Sequence, residues 1–90
     1  MNEKVSLLLI DDDKSVVLST RKLIEKNFPE INIITTSTGV EGWQFIKEKH
    51  PSIVVCDISL PQMDGMQILI KIRAREELND MYFIILTADT

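Results

Sequence analysis

Acidic and hydroxyl side chains stand directly after three apolar runs of this sequence. The runs 7–10, 53–56 and 83–86 are followed in turn by Asp11 with Asp12, by Asp57, and by Thr87. Carboxylates that come together repel one another, and a divalent cation relieves that repulsion. Oxygen-only ligands favour Mg2+ or Mn2+, and few protein ligands leave room for waters and phosphate oxygens. A remaining carboxylate can then attack a phosphoryl group, so these residues point to metal-assisted phosphoryl chemistry.

These side chains can act together only if the apolar runs are neighbouring strands. Short apolar runs bounded by turn residues predict strands buried on both faces, and helical spacing fills the intervals. The predicted strands are 5–10, 31–36, 53–57 and 81–86, and the predicted helices are 16–27, 40–49 and 66–75. The order β-α-β-α-β-α-β predicts an α/β fold with a parallel sheet, right-handed crossovers and helices on both faces. Asp11, Asp12 and Asp57 should then converge at the carboxyl edge of the sheet.

Apolar side chains at helical spacing indicate which helix faces pack on the sheet. The first helix has Val16, Val17, Leu23, Ile24 and Phe28, with Thr20 continuing the stripe, and the third has Met66, Leu69, Ile70 and Ile72. Asp13 or Ser15 can serve as the N-cap of the first helix. Gly42 costs the second helix about 1 kcal/mol relative to alanine, so close packing against the sheet is its expected role. Trp43 is expected to pack in the core, and His50 to be an exposed helix end.

Composition limits the remaining classes of protein. Ninety residues make at most one domain, 1–90, and the net charge of -4 argues against a direct nucleic-acid binder, which needs a basic patch. The single cysteine, Cys56, excludes a disulfide framework and a multi-cysteine metal site, and its apolar surroundings predict a core residue. No run is long enough to cross a membrane and no signal peptide is present, so a cytoplasmic location is expected.

Each of these features also has a purely structural explanation. Acids at 11–13 can simply favour the dipole of the following helix. Asp57 and Thr87 can be ordinary residues at strand ends, and Asp64-Gly65 is common in turns. Only the joint spacing favours a chemical site over these alternatives.

Three segments resemble a known family when they are taken together. Leu8-Leu9-Ile10-Asp11-Asp12-Asp13, the stretch D-x-x-x-P-x-M-D-G from Asp57 to Gly65, and Leu86-Thr87-Ala88 closely resemble the receiver domain of bacterial two-component response regulators. The match follows the family in order and spacing over nearly the whole chain. It implies a flavodoxin-like, three-layer fold with strand order 2-1-3-4-5.

The resemblance also implies a site and a role. Asp57 would be the phospho-acceptor, and Asp12 and Asp57 would bind Mg2+ or Mn2+, with Asp11 acting through water and the Ser59 carbonyl completing the protein ligands. Thr87 would be the switch hydroxyl. The implied partner is a sensor histidine kinase or phosphotransfer protein, and the parent protein would carry an output domain. The implied activity is signalling, with self-phosphorylation and self-dephosphorylation as the only catalysis.

The family's fifth strand, the lysine at its end and its last two helices have no counterpart before Thr90. We therefore expect a receiver truncated after the fourth strand, with that strand exposed at a sheet edge. An exposed apolar edge invites pairing with another chain, so self-association through strand four is expected. An alternative function is an interaction module with the receiver fold that no longer switches by phosphorylation.

Two other functions fit the residues less well. A haloacid-dehalogenase-like phosphatase with an aspartyl nucleophile requires a second acid two residues after the first, and that position is Ser59. A nucleotide- or flavin-binding protein is disfavoured because no glycine-rich phosphate loop follows the first strand.

Overall fold

Four parallel strands and three α-helices alternate along the part of the chain that the structure describes, residues 5–86 of a computed structural model. The elements are β1 Ser6–Ile10, α1 Lys14–Asn27, β2 Asn32–Thr36, α2 Gly39–Lys49, β3 Ile53–Asp57, α3 Gly65–Arg73, a 3-10 turn Glu76–Leu78, and β4 Tyr82–Leu86. The predicted element order is therefore confirmed, and no boundary differs from its predicted place by more than two residues.

The sheet has the strand order β2-β1-β3-β4, and every neighbouring pair is parallel. Ile10 at the end of β1 lies opposite Thr36 of β2 and Cys56 of β3. Asp57 at the end of β3 lies opposite Leu86 of β4. This register brings the carboxyl ends of all four strands to one edge, as the predicted α/β fold requires.

Apolar side chains of β1 alternate between two cores because helices cover both faces of the sheet. Leu8 and Ile10 belong to the core beneath α2 and α3, whereas Leu7 and Leu9 belong to the core beneath α1. All four are 5% exposed or less. A strand that is buried on both faces has no polar alternation, which explains the continuous apolar run in the sequence.

The start of α1 is fixed by Asp13. Its side chain accepts hydrogen bonds from the backbone N–H groups of Ser15 at 2.9 Å and Val16 at 3.3 Å, so Asp13 is the N-cap and Ser15 is not. The helix therefore begins at Lys14, two residues before the predicted start. At its other end the helix stops before Pro29, as predicted, with Phe28 as the C-cap.

The predicted apolar face of α1 was only partly right. Val17 and Ile24 pack on the sheet, but Val16, Leu23 and Phe28 are 36%, 63% and 53% exposed. Positions 17 and 24 lie two helical turns apart on one line, whereas Val16 and Leu23 each lie one residue, or roughly 100°, off that line. The helix consequently presents a narrow stripe to the sheet and leaves several apolar side chains exposed among its charged and polar ones.

Gly42 provides the close packing that its position in α2 predicted. A Cβ at this residue would overlap Ile10 Cδ1, and it would lie 2.8 Å from Ile10 Cγ1 and 3.2 Å from Thr36 Oγ1. Trp43 is 8% exposed and packs in the core beneath α2 and α3, which confirms its predicted role. Three cations from the two helices and the segment after α3 cover its ring at 5.4 to 5.8 Å, namely Lys47, Lys71 and Arg75.

The predicted apolar set of α3 was wrong in part. Ile68, which the set omitted, and Ile72 are fully buried, whereas Met66 and Ile70 are 44% and 64% exposed. The helix begins at Gly65 because its N-cap, Asp64, forms a capping box with Gln67. Packing on the sheet then buries positions 68 and 72, which lie four residues apart on one face of the helix.

The segment from 76 to 80, which is polar apart from Leu78 and falls between the predicted third helix and fourth strand, also contributes to the core. α3 ends at Arg73, and the chain then forms the 3-10 turn, in which Leu78 is 2% exposed and joins the core. His50, the C-cap of α2, is exposed with φ 47°, as its predicted place at a helix end requires. Among the described residues, no helix is long and apolar enough to cross a bilayer.

Candidate functional site

Three carboxylates meet at the carboxyl edge of the sheet. Asp11 and Asp12 follow β1, and Asp57 ends β3. One carboxylate oxygen from each residue lies within 4.8 Å of the others, and no second group of this kind occurs between residues 5 and 86. The sequence-predicted convergence of these three acids is thus confirmed as geometry.

Their environments differ. Asp11 is 4% exposed, Asp57 is half-buried, and Asp12 is exposed. This gradient runs from the sheet to the surface, so an ion or a substrate reaching the cluster from solvent would meet Asp12 and Asp57 before Asp11.

Backbone N–H groups orient two of the three carboxylates. Asp11 Oδ1 accepts a hydrogen bond from the Asp13 N–H at 2.9 Å, and Asp57 Oδ1 accepts one from the Ser59 N–H at 3.0 Å. The Asp11 N–H in turn donates to the Thr36 carbonyl at 3.2 Å, which ties the acid to β2. Side chains held by backbone groups keep their geometry without a ligand, which lowers the cost of binding one.

The cluster carries negative charge, and no cationic side chain between residues 5 and 86 lies within ion-pair distance of it. Burial raises the pKa of Asp11; the hydrogen bond from Asp13 opposes this in part, and the charges of Asp57, Asp12 and Asp13 add to the increase. The ion pairs of the described chain are Arg21–Glu25 and Arg75–Glu77, and neither includes an acid of the cluster. A divalent cation would relieve this repulsion, and an all-carboxylate donor set suits Mg2+ or Mn2+.

Of the other predicted site residues, Ser59 and Thr87, the structure describes only Ser59. Ser59 lies at the site, exposed, in the loop that follows β3, and its N–H is the donor to Asp57. Thr87, predicted as the switch hydroxyl, lies outside the described residues.

Cys56, the residue before Asp57, takes no part in this chemistry. Its side chain is fully buried, and its Sγ lies 3.3 Å from the Asp57 carbonyl oxygen. Burial raises the pKa of the thiol to about 12, and the nearby charges of Asp57, Asp11 and Asp64 contribute. The thiol therefore stays protonated at neutral pH, which fits the predicted core role.

Two features of the site were not foreseen from the sequence. An open groove of about 560 Å³ runs from Asp11 and Asp12 between α1 and β2, lined also by Lys14, Arg21 and Glu41. The second feature is contact between the loop after β3 and the first residue of α2, Gly39. Gly39 follows Thr38 in a pair that is typical of a turn. Nothing local in the sequence indicates which distant backbone segment contacts it.

The family model for the response regulator receiver domain matches residues 7–90. The chain belongs to the response regulator receiver family. Its four described strands and three helices are those of a receiver, and the acids that converge here lie in the segments that suggested the family.

Curated relatives agree with this assignment. The receiver chain is 32% identical over 88 residues to response regulator Rre1 of Synechocystis, covering 98% of this chain and 38% of that protein. It is 34% identical over 90 residues to the probable C4-dicarboxylate response regulator DctR of Priestia megaterium, covering 99% of this chain and 40% of that protein. The chain thus spans about two-fifths of the length of these two relatives.

Solved receivers have the same fold. The signal receiver domain of a putative LuxO repressor from Vibrio parahaemolyticus is 26% identical, with a TM-score of 0.85 over 98% of this chain and 65% of that one. The receiver domain of sensor histidine kinase PA1611 from Pseudomonas aeruginosa has the same TM-score at 20% identity, over 97% of this chain and 70% of that one. That structure is described as having a magnesium ion coordinated in its active-site cleft.

Proposed function

We propose that this receiver accepts a phosphoryl group on Asp57 in two-component phosphorelay signalling. The observation that carries the proposal is the meeting of Asp11, Asp12 and Asp57 within 4.8 Å at the carboxyl edge of the sheet. The donor would be a sensor histidine kinase or a phosphotransfer protein, and the modified receiver would control an output domain of the parent protein. Single-domain organisation over 1–90, a cytoplasmic location and the absence of direct nucleic-acid contact belong to the same proposal.

The acids fit a divalent cation in number, donor type and exposure. We assign Mg2+, or Mn2+, to Asp12 and Asp57, with Asp11 acting through water and the Ser59 carbonyl as a further ligand. When bound, the ion would neutralise the negative charge of the phosphoryl group and of the cluster. The magnesium described in the PA1611 receiver, which has the same fold, supports this choice of metal.

The chain's own residues would do the following in the transfer. Asp57, half-buried and held by the Ser59 N–H, presents a carboxylate oxygen at the carboxyl edge of the sheet. Its electron pair forms the new oxygen–phosphorus bond while the bond from phosphorus to the donor breaks, and that electron pair leaves with the donor. Asp11 stays oriented by the Asp13 N–H and contributes charge rather than nucleophilic attack. Thr87 would then move its hydroxyl toward the phosphoryl group as the switch.

The test is chemical modification of the chain in Mg2+ with a small acyl phosphate as donor. Intact-mass measurement should show the gain of one phosphoryl group, and borohydride trapping followed by peptide mapping should place it at Asp57. Asp57→Asn should remove the modification. Asp13→Asn is the matched control, because an asparagine still caps α1 and Asp13 lies outside the three-carboxylate group. Modification that persists in Asp57→Asn would rule out the assignment.

We further propose that strand β4 is a docking edge for a second copy of the chain. Within residues 5–86, β4 pairs only with β3, and its Tyr82 and Ile84 are 73% and 49% exposed. An apolar edge strand with one open side can add a strand from another molecule.

A further inference from the structure

We propose that Gly39, the first residue of α2, is a positioning residue that holds the loop after Asp57 in the shape the site requires. A Cβ at Gly39 would overlap the carbonyl oxygen of Met63, and it would lie 2.9 Å from the carbonyl carbon and 3.1 Å from the Cβ of Met63. The backbone of Met63 therefore rests directly on the Cα of Gly39. Only glycine permits so close an approach of two backbones.

The part of the loop that rests on Gly39 is a strained turn. Gln62 has φ 67°, and the Met63 N–H donates to the Pro61 carbonyl at 2.8 Å, which closes a three-residue turn. A three-residue turn whose central residue has a positive φ is rare and strained. Such strain persists only where the surroundings hold it, and the surface against which this turn lies is the start of α2.

Both ends of the loop are fixed close to Asp57. Leu60 is 6% exposed and anchors one side in the core. At the other side, a Cβ at Gly65 would lie 3.2 Å from the Asp57 carbonyl oxygen and 3.4 Å from Ile58 Cα. The turn lies between these two points, so a displacement at Met63 acts on residues 61 to 64 and, through Gly65, on the Asp57 carbonyl and Ile58 Cα against which Gly65 packs. Ser59, whose N–H orients Asp57, directly follows Ile58.

The supporting surface is itself rigid. Thr38 caps α2 by accepting a hydrogen bond from the Glu41 N–H at 3.1 Å, and Trp43 and Ile46 of the same helix are buried in the core. Because α2 cannot retreat from the loop without breaking these contacts, a side chain at 39 would displace the loop rather than the helix.

This inference rests on the proposed function, since Asp57 and the Ser59 carbonyl are its assigned metal ligands. In Gly39→Ala we expect Mg2+ affinity to fall by about tenfold or more, the effect typical of removing a group that orients a metal ligand. Calorimetric titration with Mg2+ measures the affinity. In the metal-free protein, amide NMR shifts should move at residues 57–64 more than anywhere else outside α2.

Gly42→Ala is the matched control. It makes the same change three residues further along α2, and its new Cβ meets the end of the Ile10 side chain instead of the loop backbone. We expect it to change thermal stability while leaving Mg2+ affinity within about twofold of wild type. A role of Gly39 that is structural only would make the two variants behave alike.

A second variant covers the case in which Gly39→Ala does not fold. Adding Gln62→Gly removes the cost of the positive φ, so the turn can move away from the added methyl group and the chain can fold. The double variant should still bind Mg2+ weakly, whereas Gln62→Gly alone should bind it as wild type does. Wild-type Mg2+ affinity in folded Gly39→Ala, or in the double variant, overturns the proposal. If wild type itself binds no Mg2+, the proposed metal site fails, and the positioning role is then decided by the metal-free amide shifts at 57–64.

Discussion

Asp11 is the residue at which burial and charge conflict most directly. It is 4% exposed, and its pKa is raised first by burial and then by the charges of Asp57, Asp12 and Asp13. As the pH rises above the ordinary value of 3.8, the unfolded chain releases this proton before the folded chain does. Folded-state stability contributed by Asp11 is therefore greatest in acid and declines as the pH passes from 3.8 to the raised pKa.

Removing that charge should stabilise the metal-free protein. Asp11→Asn keeps an oxygen to accept the hydrogen bond from the Asp13 N–H, but it has no ionised form. We expect a higher melting temperature at pH 7, by about 4–8 °C for each 1 kcal/mol gained in a domain of this size, together with weaker Mg2+ binding. Thermal melts from pH 3 to pH 8 in a chelator check this.

Asp12→Asn is the control for that experiment, since Asp12 is exposed and belongs to the same cluster. Its effect on metal-free stability should be the smaller of the two. If Asp11→Asn melts at a lower temperature than wild type at pH 7, the ionised side chain of Asp11 does not destabilise the metal-free fold, and the prediction is wrong.

At the scale of the element, the rotation of each helix about its own axis, its phase, decides which side chains become core. The caps Asp13 and Asp64 fix where α1 and α3 begin, and packing on the sheet fixes the phase. In α3 this phase buries Ile72 fully and leaves Ile70 64% exposed, although both residues looked equally apolar in the sequence. The same reasoning separates Ile24 from its neighbour Leu23 in α1.

Two of the three isoleucines of α3, Ile70 and Ile72, give a matched test of this phase. Ile72→Ala should lower the free energy of unfolding by about 2–5 kcal/mol, because it opens a cavity in the core beneath α2 and α3. Ile70→Ala should change it by about 0.5 kcal/mol or less, because the side chain already faces solvent. Urea denaturation of both variants measures the difference, and equal losses would show that α3 is rotated from the phase described.

At the scale of the whole molecule, the two faces of the sheet are covered unequally. Among residues 5–86, α2 and α3 enclose one core, whereas α1 is the one helix over the other face, and none of its side chains is fully buried. On β4 the consequence is an apolar surface at Tyr82 and Ile84. This imbalance, rather than any single residue, is the basis for expecting association between chains.

The proposed docking edge predicts reversible self-association at micromolar concentration. Sedimentation velocity should show a species larger than the monomer, and Ile84→Lys should shift the balance toward monomer because a lysine on an edge strand opposes pairing. Ile70→Lys is the control, since Ile70 is also an exposed isoleucine, at 64% against 49% for Ile84, but lies on α3. A folded wild-type chain that remains strictly monomeric over this range would exclude the docking edge.

Much of this architecture could be predicted from the sequence because it depends on local patterns. Continuous apolar runs identify the doubly covered strands 7–10 and 53–56, and helical spacing between them requires parallel crossovers. Once the sheet is parallel, acids that follow β1 and β3 must share an edge. The sequence alone therefore predicts the convergence of Asp11, Asp12 and Asp57, and the joint spacing of the motifs indicates the family.

Only the tertiary structure decided the features that depend on distant contacts. Burial of Asp11 beside exposed Asp12 follows from the depth of each residue at the sheet edge, which two adjacent aspartates do not reveal. The phases of α1 and α3 follow from packing on the sheet, which a broad apolar face in the sequence leaves undetermined. The resting of Met63 on Gly39 joins two segments that are far apart in the chain, and periodicity, being local, carries no information about which backbones meet.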